Sequence, residues 1–209
     1  MTLARIASVS LTVAVALVFC PIGAALFAQA PAPPLAMTKA KVTIEGTSNV
    51  HDWTATSTRV RVVQAKIATE AKGAGFWDAV VKPGVIGSFE IVIPVATLTS
   101  PRSGLDKNMY KALKADQHKD ITFRLKGLTP KTAAGAFTAA GVLRVAGVDR
   151  DVTLDITLGR AGQNLVVRGS TALLMTDFGI DPPRALLGTV RSSPNVTITF
   201  EAVVSSPLI

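Results

Sequence analysis

The sequence contains a single cysteine, Cys20, among its 209 residues. It lies inside a long apolar stretch near the start of the chain, so removal of that stretch would leave a mature protein without cysteine. Such a protein has no disulfide, no thiol nucleophile and no cysteine-based metal site. We therefore predict no cofactor, and we expect the stability to come from a hydrophobic core alone.

Histidine is also scarce, and the chain has only His51 and His118. Asp52 and Asp120 lie near them, which leaves a metal site or an acid–base pair as an alternative interpretation. A catalytic zinc usually has three protein ligands, often with two histidines closely spaced on a helix, and that spacing is absent. A nucleophile motif such as G-x-S-x-G is absent as well. We therefore predict no metal site and no catalytic residue, with structural hydrogen bonding as the role of both histidines.

Charged residues make up only 17% of the chain and aromatic residues only 5%, while the formal net charge is +8. The basic residues are scattered, and two tryptophans and one tyrosine offer little for stacking on bases. We therefore predict no nucleic-acid partner. A basic surface also attracts anionic lipid, so transient contact with a membrane stays open as a second interpretation.

The N-terminal segment has the order of a secretory signal peptide. A single charge at Arg5 precedes an apolar stretch over residues 6–27, which ends in the small residues Ala24, Ala25 and Ala28. We predict a signal peptide over residues 1–28, a Pro/Ala-rich linker over 29–38 and one domain over 39–209. This predicts a periplasmic or secreted protein. An uncleaved membrane anchor is the alternative, because about 20 apolar residues span a bilayer.

Most of the remaining chain alternates apolar and polar residues, which indicates half-buried β-strands. Short turn segments rich in glycine separate these rows, so neighbouring strands should be antiparallel. The tally is eight or nine strands, and eight strands of this length can close into a barrel. The fold class is therefore predicted to be all-β. The clearest rows lie at residues 89–95, 121–126, 152–158 and 196–202, and weaker rows lie at 41–45, 51–57, 59–70, 137–145 and 164–170.

One helix interrupts the strand pattern. Ser103 and Asp106 have the spacing of a capping box, and Leu105, Met109 and Leu113 then fall on one helical face. A second short helical turn is predicted at residues 185–187. The sequence Asp177-Phe178-Gly179 spells a kinase metal motif, but it lacks the companion kinase motifs and predicts a turn in which Gly179 has a positive φ.

Four stretches in a fixed order resemble the bacterial YceI-like family and together span residues 42–204. The resemblance implies an extended, lipocalin-like, eight-stranded antiparallel barrel with one or two short helices, usually periplasmic. It also implies that a polyisoprenoid or another long apolar chain is bound inside the barrel. The stretches are GTSNVHDW at 46–53; LDKNM at 105–109 with Leu113, His118 and ITF at 121–123; GVL at 141–143 with Gly147, Val148 and Val152; and MTDFGIDPP at 175–183 with Val196 and Ile198.

A site for an apolar chain should be an apolar tube lined by large inward-facing side chains. Each such residue has an alternative role as ordinary core. Trp53 is interpreted either as a cap that contacts a polar head group or as a plug in the core. The candidate ligand-binding residues are Trp53, Phe89, Ile91, Met109, Leu113, Phe123, Leu125, Met175 and Phe178.

The leading hypothesis is therefore a lipid carrier, not an enzyme, that takes an isoprenoid quinone, its precursor or a fatty acyl chain. The first alternative is a scaffold barrel without a ligand. The second is an enzyme on a lipid-like substrate, which would depend on His51, Asp52 or His118. A homodimer stays open, as does whether the barrel interior is a cavity or is filled by side chains.

Overall fold

The computed structural model describes residues 33–209. The predicted signal peptide over residues 1–28 lies outside the described residues, as does the start of the predicted linker. The first strand begins at Ala36, ahead of the predicted domain start at residue 39.

Ten strands and two α-helices make up the described part of the chain. The strands are β1 (Ala36–Ser48), β2 (Trp53–Ser57), β3 (Arg61–Ile67), β4 (Ile86–Pro94), β5 (Asp120–Pro130), β6 (Ala136–Val145), β7 (Val148–Ala161), β8 (Asn164–Leu174), β9 (Arg184–Ala185) and β10 (Val190–Ser205), and the helices are α1 (Phe76–Val80) and α2 (Ser103–Ala112). Single 3-10 turns lie at Gly73–Gly75, Val95–Thr97, Met175–Phe178 and Leu186–Gly188.

The strands form one antiparallel sheet in the order β2-β1-β10-β8-β7-β6-β5-β4-β3, and the two-residue β9 pairs with β10. The all-β antiparallel prediction is confirmed, and the nine strands of this order agree with the tally of eight or nine, whereas the resemblance implied eight. Ser57 ends β2 before β3 begins. The Ser57 hydroxyl accepts a hydrogen bond from the Arg59 backbone N–H at 3.1 Å and lies 2.7 Å from the Thr97 hydroxyl. Such local bonding by serine competes with continuation of a strand.

The two edge strands of the sheet, β2 and β3, are consecutive in the chain. The sheet curls, and β2 is joined to the segment that follows β4 by a bridge between Thr56 and Thr99. The backbone N–H of each of these threonines donates to the carbonyl oxygen of the other, at 2.8 and 3.0 Å. This contact joins the β2 edge of the curled sheet to the segment after β4.

Two turns depend on a glycine with positive φ, and the one at Gly179 is where the sequence predicts it. Ala146 and Gly147 both have positive φ, 49° and 83°, in the tight turn between β6 and β7, as hairpins of this kind require. Gly179 follows the Met175–Phe178 turn with a φ of 63°. Gly147 also has a packing role, because a Cβ there would lie 2.4 Å from the His118 imidazole ring.

Helix α2 is present where the sequence predicts it, but the predicted capping box is wrong. Ser103 is the first helical residue, and no side chain caps the helix from Arg102. Instead, the Asp106 carboxylate accepts a hydrogen bond from the Ser100 backbone N–H at 2.7 Å. The carboxylate therefore reaches one turn further back and fixes the loop that leads into the helix.

Two differences concern the other short helical segments. The predicted turn at 185–187 is instead the end of β9 followed by the 3-10 turn Leu186–Gly188. Helix α1 was not predicted, and its Phe76, Trp77 and Val80 are buried. The Trp77 indole N–H donates to the Gln163 carbonyl oxygen at 2.9 Å, so α1 is fixed to the turn between β7 and β8.

Three aromatic rings on the strands lie across glycines of neighbouring strands. A Cβ at Gly46, Gly141 or Gly169 would lie 2.3–2.5 Å from a ring atom of Trp53, Phe123 or Phe200, respectively. The register places Gly46 opposite Trp53 and Gly169 opposite Phe200. In each case the ring packs directly on the glycine backbone, in the space that a Cβ would occupy.

We expect Gly169→Ala to lower the free energy of unfolding by about 1–3 kcal/mol, the usual effect of overpacking. Its Cβ would lie 2.4 Å from the Phe200 ring and 2.9 Å from the Asp155 carbonyl oxygen. The matched control is Gly159→Ala, where no atom lies within 4 Å of the new Cβ. The control should be neutral or up to ~1 kcal/mol more stable. Urea unfolding measures both, and equal effects would contradict the role of the ring.

Candidate apolar ligand-binding cavity

The interior of the barrel is hollow, which answers the question that the sequence leaves open. One chamber of about 210 Å³ lies at the end covered by α2, and we call it the α2-end chamber. Its wall is apolar except for polar side chains at the rim. The lining residues are Val42, Ile44, Ser48, His51, Trp53, Ile93, Leu98, Leu105, Asn108, Met109, Ala112, Leu113, Ile121, Leu143, Val145, Leu173, Leu174, Met175, Phe178, Ile180, Pro183, Arg184, Val190, Ser192, Val196 and Ile198.

A second chamber, also of about 210 Å³, lies at the end occupied by α1, and we call it the α1-end chamber. Its polar lining residues are Thr171 and Glu201, and the Glu201 carboxylate pairs with Arg168 at 2.7 Å on the outer face of the wall. The other lining residues are Leu35, Met37, Ala40, Val42, Val60, Trp77, Val80, Val81, Ile86, Phe89, Ile91, Ile93, Phe123, Leu125, Leu128, Ala139, Leu143, Val152, Leu154, Ile156, Leu158, Leu165, Val167, Leu173, Ile198, Phe200, Ala202 and Val204.

The two chambers adjoin. Five residues line both of them, and they come from β1, β4, β6, β8 and β10, which lie around the wall. Ligand pockets usually span ~300–1,000 Å³, so one chamber alone is small, and the two together fall within this range. The arrangement fits one elongated apolar ligand. The shared residues are Val42, Ile93, Leu143, Leu173 and Ile198.

All nine predicted site residues line this cavity, four in one chamber and five in the other. Strand alternation predicted the inner face for Phe89, Ile91, Phe123 and Leu125, and helical spacing predicted it for Met109 and Leu113; the structure brings all nine together around the interior. Their role in holding a ligand stays a prediction. Phe89, Ile91, Phe123 and Leu125 line the α1-end chamber, whereas Trp53, Met109, Leu113, Met175 and Phe178 line the α2-end chamber.

Sequence reasoning missed part of the wall. Val42 and Ile44 on β1 line the cavity, and their alternation with Thr43 and Glu45 was a usable signal in a row that was rated weak. Trp77 closes the α1-end chamber, but five residues of helix give too short a periodic pattern to detect. The adjacent aromatic residues Phe76 and Trp77, which follow Gly73-Ala74-Gly75, were the available signal for a buried segment here.

Two hydrogen bonds fix the His51 ring at the rim of the α2-end chamber. Arg102 Nη1 lies 2.8 Å from His51 Nε2, and His51 Nδ1 lies 3.0 Å from the Asp52 carbonyl oxygen. Because a guanidinium can only donate, Nε2 accepts and Nδ1 carries the proton. His51 thus links its loop to the start of α2, as the structural interpretation predicts.

The alternative of a metal site gains no support from the geometry. Among residues 33–209, no group of three or more His, Cys, Asp or Glu side chains is arranged to hold a metal ion. His118 packs on Gly147, whereas His51 lies at the rim with Arg102. The two histidines therefore have separate packing roles.

Helix α2 is fastened over the cavity by polar contacts. The Tyr110 hydroxyl donates to the Leu98 carbonyl oxygen at 2.6 Å, which ties the helix to the segment after β4. Burial raises the pKa of Tyr110 above its usual value, and the nearby Asp106 carboxylate adds to this increase. All residues of α2 keep part of their surface exposed, so the helix behaves as a cover rather than as core.

Trp53 separates the α2-end chamber from an outer groove that contains Arg102 and Asp52. Its indole nitrogen is buried and has no hydrogen-bond partner among the described residues, which usually costs about 1–3 kcal/mol. Since this nitrogen has almost no accessible surface, contact with a polar head group would require the ring to turn.

In the part of the chain from residue 33 onward, none of the helices has both the length and the apolar character needed to cross a bilayer.

The curled antiparallel sheet, its hollow apolar interior and the helix over one end define a barrel with an internal binding cavity. The chain belongs to the YceI-like family, since the model of the YceI-like domain matches residues 36–204. No curated protein matches the chain.

Solved structures share this fold at low sequence identity. Burkholderia cenocepacia BcnA superimposes with a TM-score of 0.60 at 16% identity, over 80% of this chain and 96% of the other. A polyisoprenoid binding domain from Saccharophagus degradans, implicated in plant cell wall breakdown, gives a TM-score of 0.60 at 12% identity, over 84% and 99%. The Campylobacter jejuni YCEI protein gives 0.50 at 17% identity, over 69% and 82%. At such identities the likeness concerns the fold.

We expect Tyr110→Phe to lower the free energy of unfolding by about 1 kcal/mol, because the Leu98 carbonyl loses its donor. The raised pKa of Tyr110 means that the folded protein keeps this proton where the unfolded chain, with a tyrosine pKa of about 10, loses it. The contribution is complete below about pH 10 and is lost as the pH rises through the folded-state pKa.

Chemical unfolding of both proteins from neutral to alkaline pH measures this contribution. The wild type should lose stability more steeply above about pH 10 than Tyr110→Phe. Tyr110 is the only tyrosine, so its ultraviolet absorbance titration reports the pKa directly. A pKa at the value of an unfolded tyrosine would contradict the assignment.

Proposed function

We propose that the protein is a carrier that holds one long apolar lipid along both chambers. The cargo is a polyisoprenoid, such as an isoprenoid quinone or its precursor, or a fatty acyl chain. The observation that carries this proposal is the apolar interior, whose two adjoining chambers share five lining residues. A barrel filled by its own side chains would leave no such space.

The energetics favour a long cargo. Burial of a methylene group contributes about 0.8 kcal/mol, so ten of them contribute about 8 kcal/mol. Association itself costs an estimated ~4–15 kcal/mol. A short chain would therefore dissociate readily, whereas a chain that fills both chambers is retained.

The family and the neighbouring folds support the same class of ligand. The Saccharophagus degradans domain is described as polyisoprenoid binding, and it shares its fold with this chain. We extend that ligand class to this chain because the lining of the α1-end chamber is almost entirely apolar, which suits a hydrocarbon tail.

The two ends of the cavity differ in polarity, which gives the cargo a direction. Ser48, His51, Asn108, Arg184 and Ser192 all belong to the α2-end chamber. We therefore propose that the polar head of the lipid lies under α2 and that the apolar tail extends toward α1.

We propose binding rather than catalysis at this site. The titratable side chains that line the α2-end chamber are His51 and Arg184, and His51 already holds Arg102 and the Asp52 carbonyl. In the α1-end chamber Glu201 is paired with Arg168. The interior thus favours retention of an apolar molecule over proton transfer.

We also propose that the protein works outside the cytoplasm, in the periplasm or after secretion. The support is the order of Arg5, the apolar residues 6–27 and the small residues up to Ala28. A carrier of an insoluble cargo must exchange that cargo somewhere, so we propose transient contact with a membrane as well.

We expect an organic extract of the protein, expressed with its N-terminal segment and purified without detergent, to contain one dominant isoprenoid or acyl species at about one per chain. Mass spectrometry identifies it, and the intact mass of the same protein reports whether residues 1–28 are removed. A blank extract that stays blank after incubation with quinones and fatty acids would contradict the carrier and favour a scaffold.

We expect Leu154→Trp to shorten the longest chain that the protein retains. Leu154 lines the α1-end chamber, so the larger ring occupies the space that the tail would fill. Its neighbour Thr153 is exposed, and Thr153→Trp is the matched control. Mass spectrometry after incubation with acyl chains of graded length compares the two variants. Retention of the longest chains by Leu154→Trp would refute the proposed path of the tail.

A further inference from the structure

Two apolar side chains project from the end of the barrel that α2 covers. Val50 is 63% exposed and Leu187 is 108% exposed, although burial is the usual fate of both residue types. Leu187 also has left-handed backbone angles, φ 56° and ψ 28°, which a bulky residue rarely adopts. Glycine would suit this position, so the leucine does not serve the loop conformation itself.

The two side chains stand on loops that Asn49 holds together. The Asn49 side-chain amide donates to the Thr189 carbonyl at 2.8 Å and accepts from the Arg191 backbone N–H at 2.8 Å. The Asn49 backbone N–H donates to the Arg191 carbonyl at 3.1 Å. Val50 and the loop of Leu187 therefore form one surface rather than two independent loop tips.

Three exposed arginines flank this surface. Arg184 and Arg191 are paired opposite each other on β9 and β10, on either side of the Leu187 turn, and Arg102 bonds to His51 beside Val50. Glu45 and Asp52 line the same outer groove as Arg102, and Asp181 precedes Arg184 by three residues in the chain. We call Val50, Leu187 and the three arginines the rim patch.

The ion pairs of the protein lie elsewhere. Five of them connect basic and acidic side chains on the outer wall formed by β5 to β10. Among residues 33–209 no salt bridge includes an arginine of the rim patch. Its positive charge is therefore not neutralised by a paired carboxylate and remains available to an anionic partner.

We propose that the rim patch docks reversibly on the surface of an anionic phospholipid bilayer. Val50 and Leu187 enter the interfacial layer, and the arginines lie against lipid phosphates. Exposed apolar residues beside basic ones are the usual composition of such a surface. The inference rests on the proposed function for its purpose, but its test does not require a bound cargo.

The position of the patch gives the docking a consequence. Pro183, Arg184 and Val190, from the same loop as Leu187, line the α2-end chamber. When the patch lies on a bilayer, the mouth of that chamber faces the lipid. An apolar chain then passes between bilayer and barrel with little exposure to water.

The experiment measures sedimentation of the purified protein with vesicles of phosphatidylcholine alone or of equal parts phosphatidylcholine and phosphatidylglycerol. We expect binding to the anionic vesicles that weakens with added salt. The double variant Val50→Ser, Leu187→Gly should bind about tenfold or more weakly. Arg184→Gln should lower binding to the anionic vesicles about fivefold.

The double variant should stay folded, because glycine suits the backbone at position 187. Val63→Ser is the matched control, since Val63 is 48% exposed on β3, away from the rim patch, and it should bind as the wild type does. The proposal is overturned if the wild type ignores anionic vesicles or if the double variant binds equally well. It is also overturned if the patch only mediates concentration-dependent self-association in gel filtration. If the protein binds vesicles but retains no lipid in its cavity, the proposed carrier function is refuted and the docking proposal stands.

Discussion

The cavity exists because three large aromatic side chains pack against the wall of the barrel instead of filling its interior. A barrel of this size is just wide enough for its own side chains to fill it, so a hollow interior needs a specific arrangement. Trp53, Phe123 and Phe200 each lie across a glycine of a neighbouring strand. The rings thus become part of the wall, and the apolar space between them is left for another molecule.

The ends of this hollow wall are built differently. Helix α1 is a plug, because Phe76 and Trp77 are almost fully buried and the indole bonds to the turn between β7 and β8. Helix α2 rests on the barrel through the Tyr110 hydroxyl and the Asp106 carboxylate. Segments with few buried apolar contacts open at a lower free energy than the core. The α2 end is therefore expected to open more readily than the α1 end.

The sequence was sufficient for the inner face of the long strands. In β5 and β10 the strict alternation around Phe123 and Ile198 fixed which side chains point inward, and the family resemblance supplied the closed topology. It was insufficient where the cause lies in contacts between distant residues. Ring-on-glycine pairs depend on strand register, and the end of β2 depends on the hydroxyl of Ser57. Helix α1 is too short for its periodicity to be visible, although its residues close the cavity.

The contact that joins β2 to the segment after β4 has a mechanical meaning. Along the sheet, neighbouring strands pair through ladders of backbone hydrogen bonds, whereas this contact consists of the pair of bonds between Thr56 and Thr99 and the contact of the Ser57 and Thr97 hydroxyls. A change in circumference costs least where the fewest bonds must stretch. The barrel should therefore widen or tighten most easily along this line.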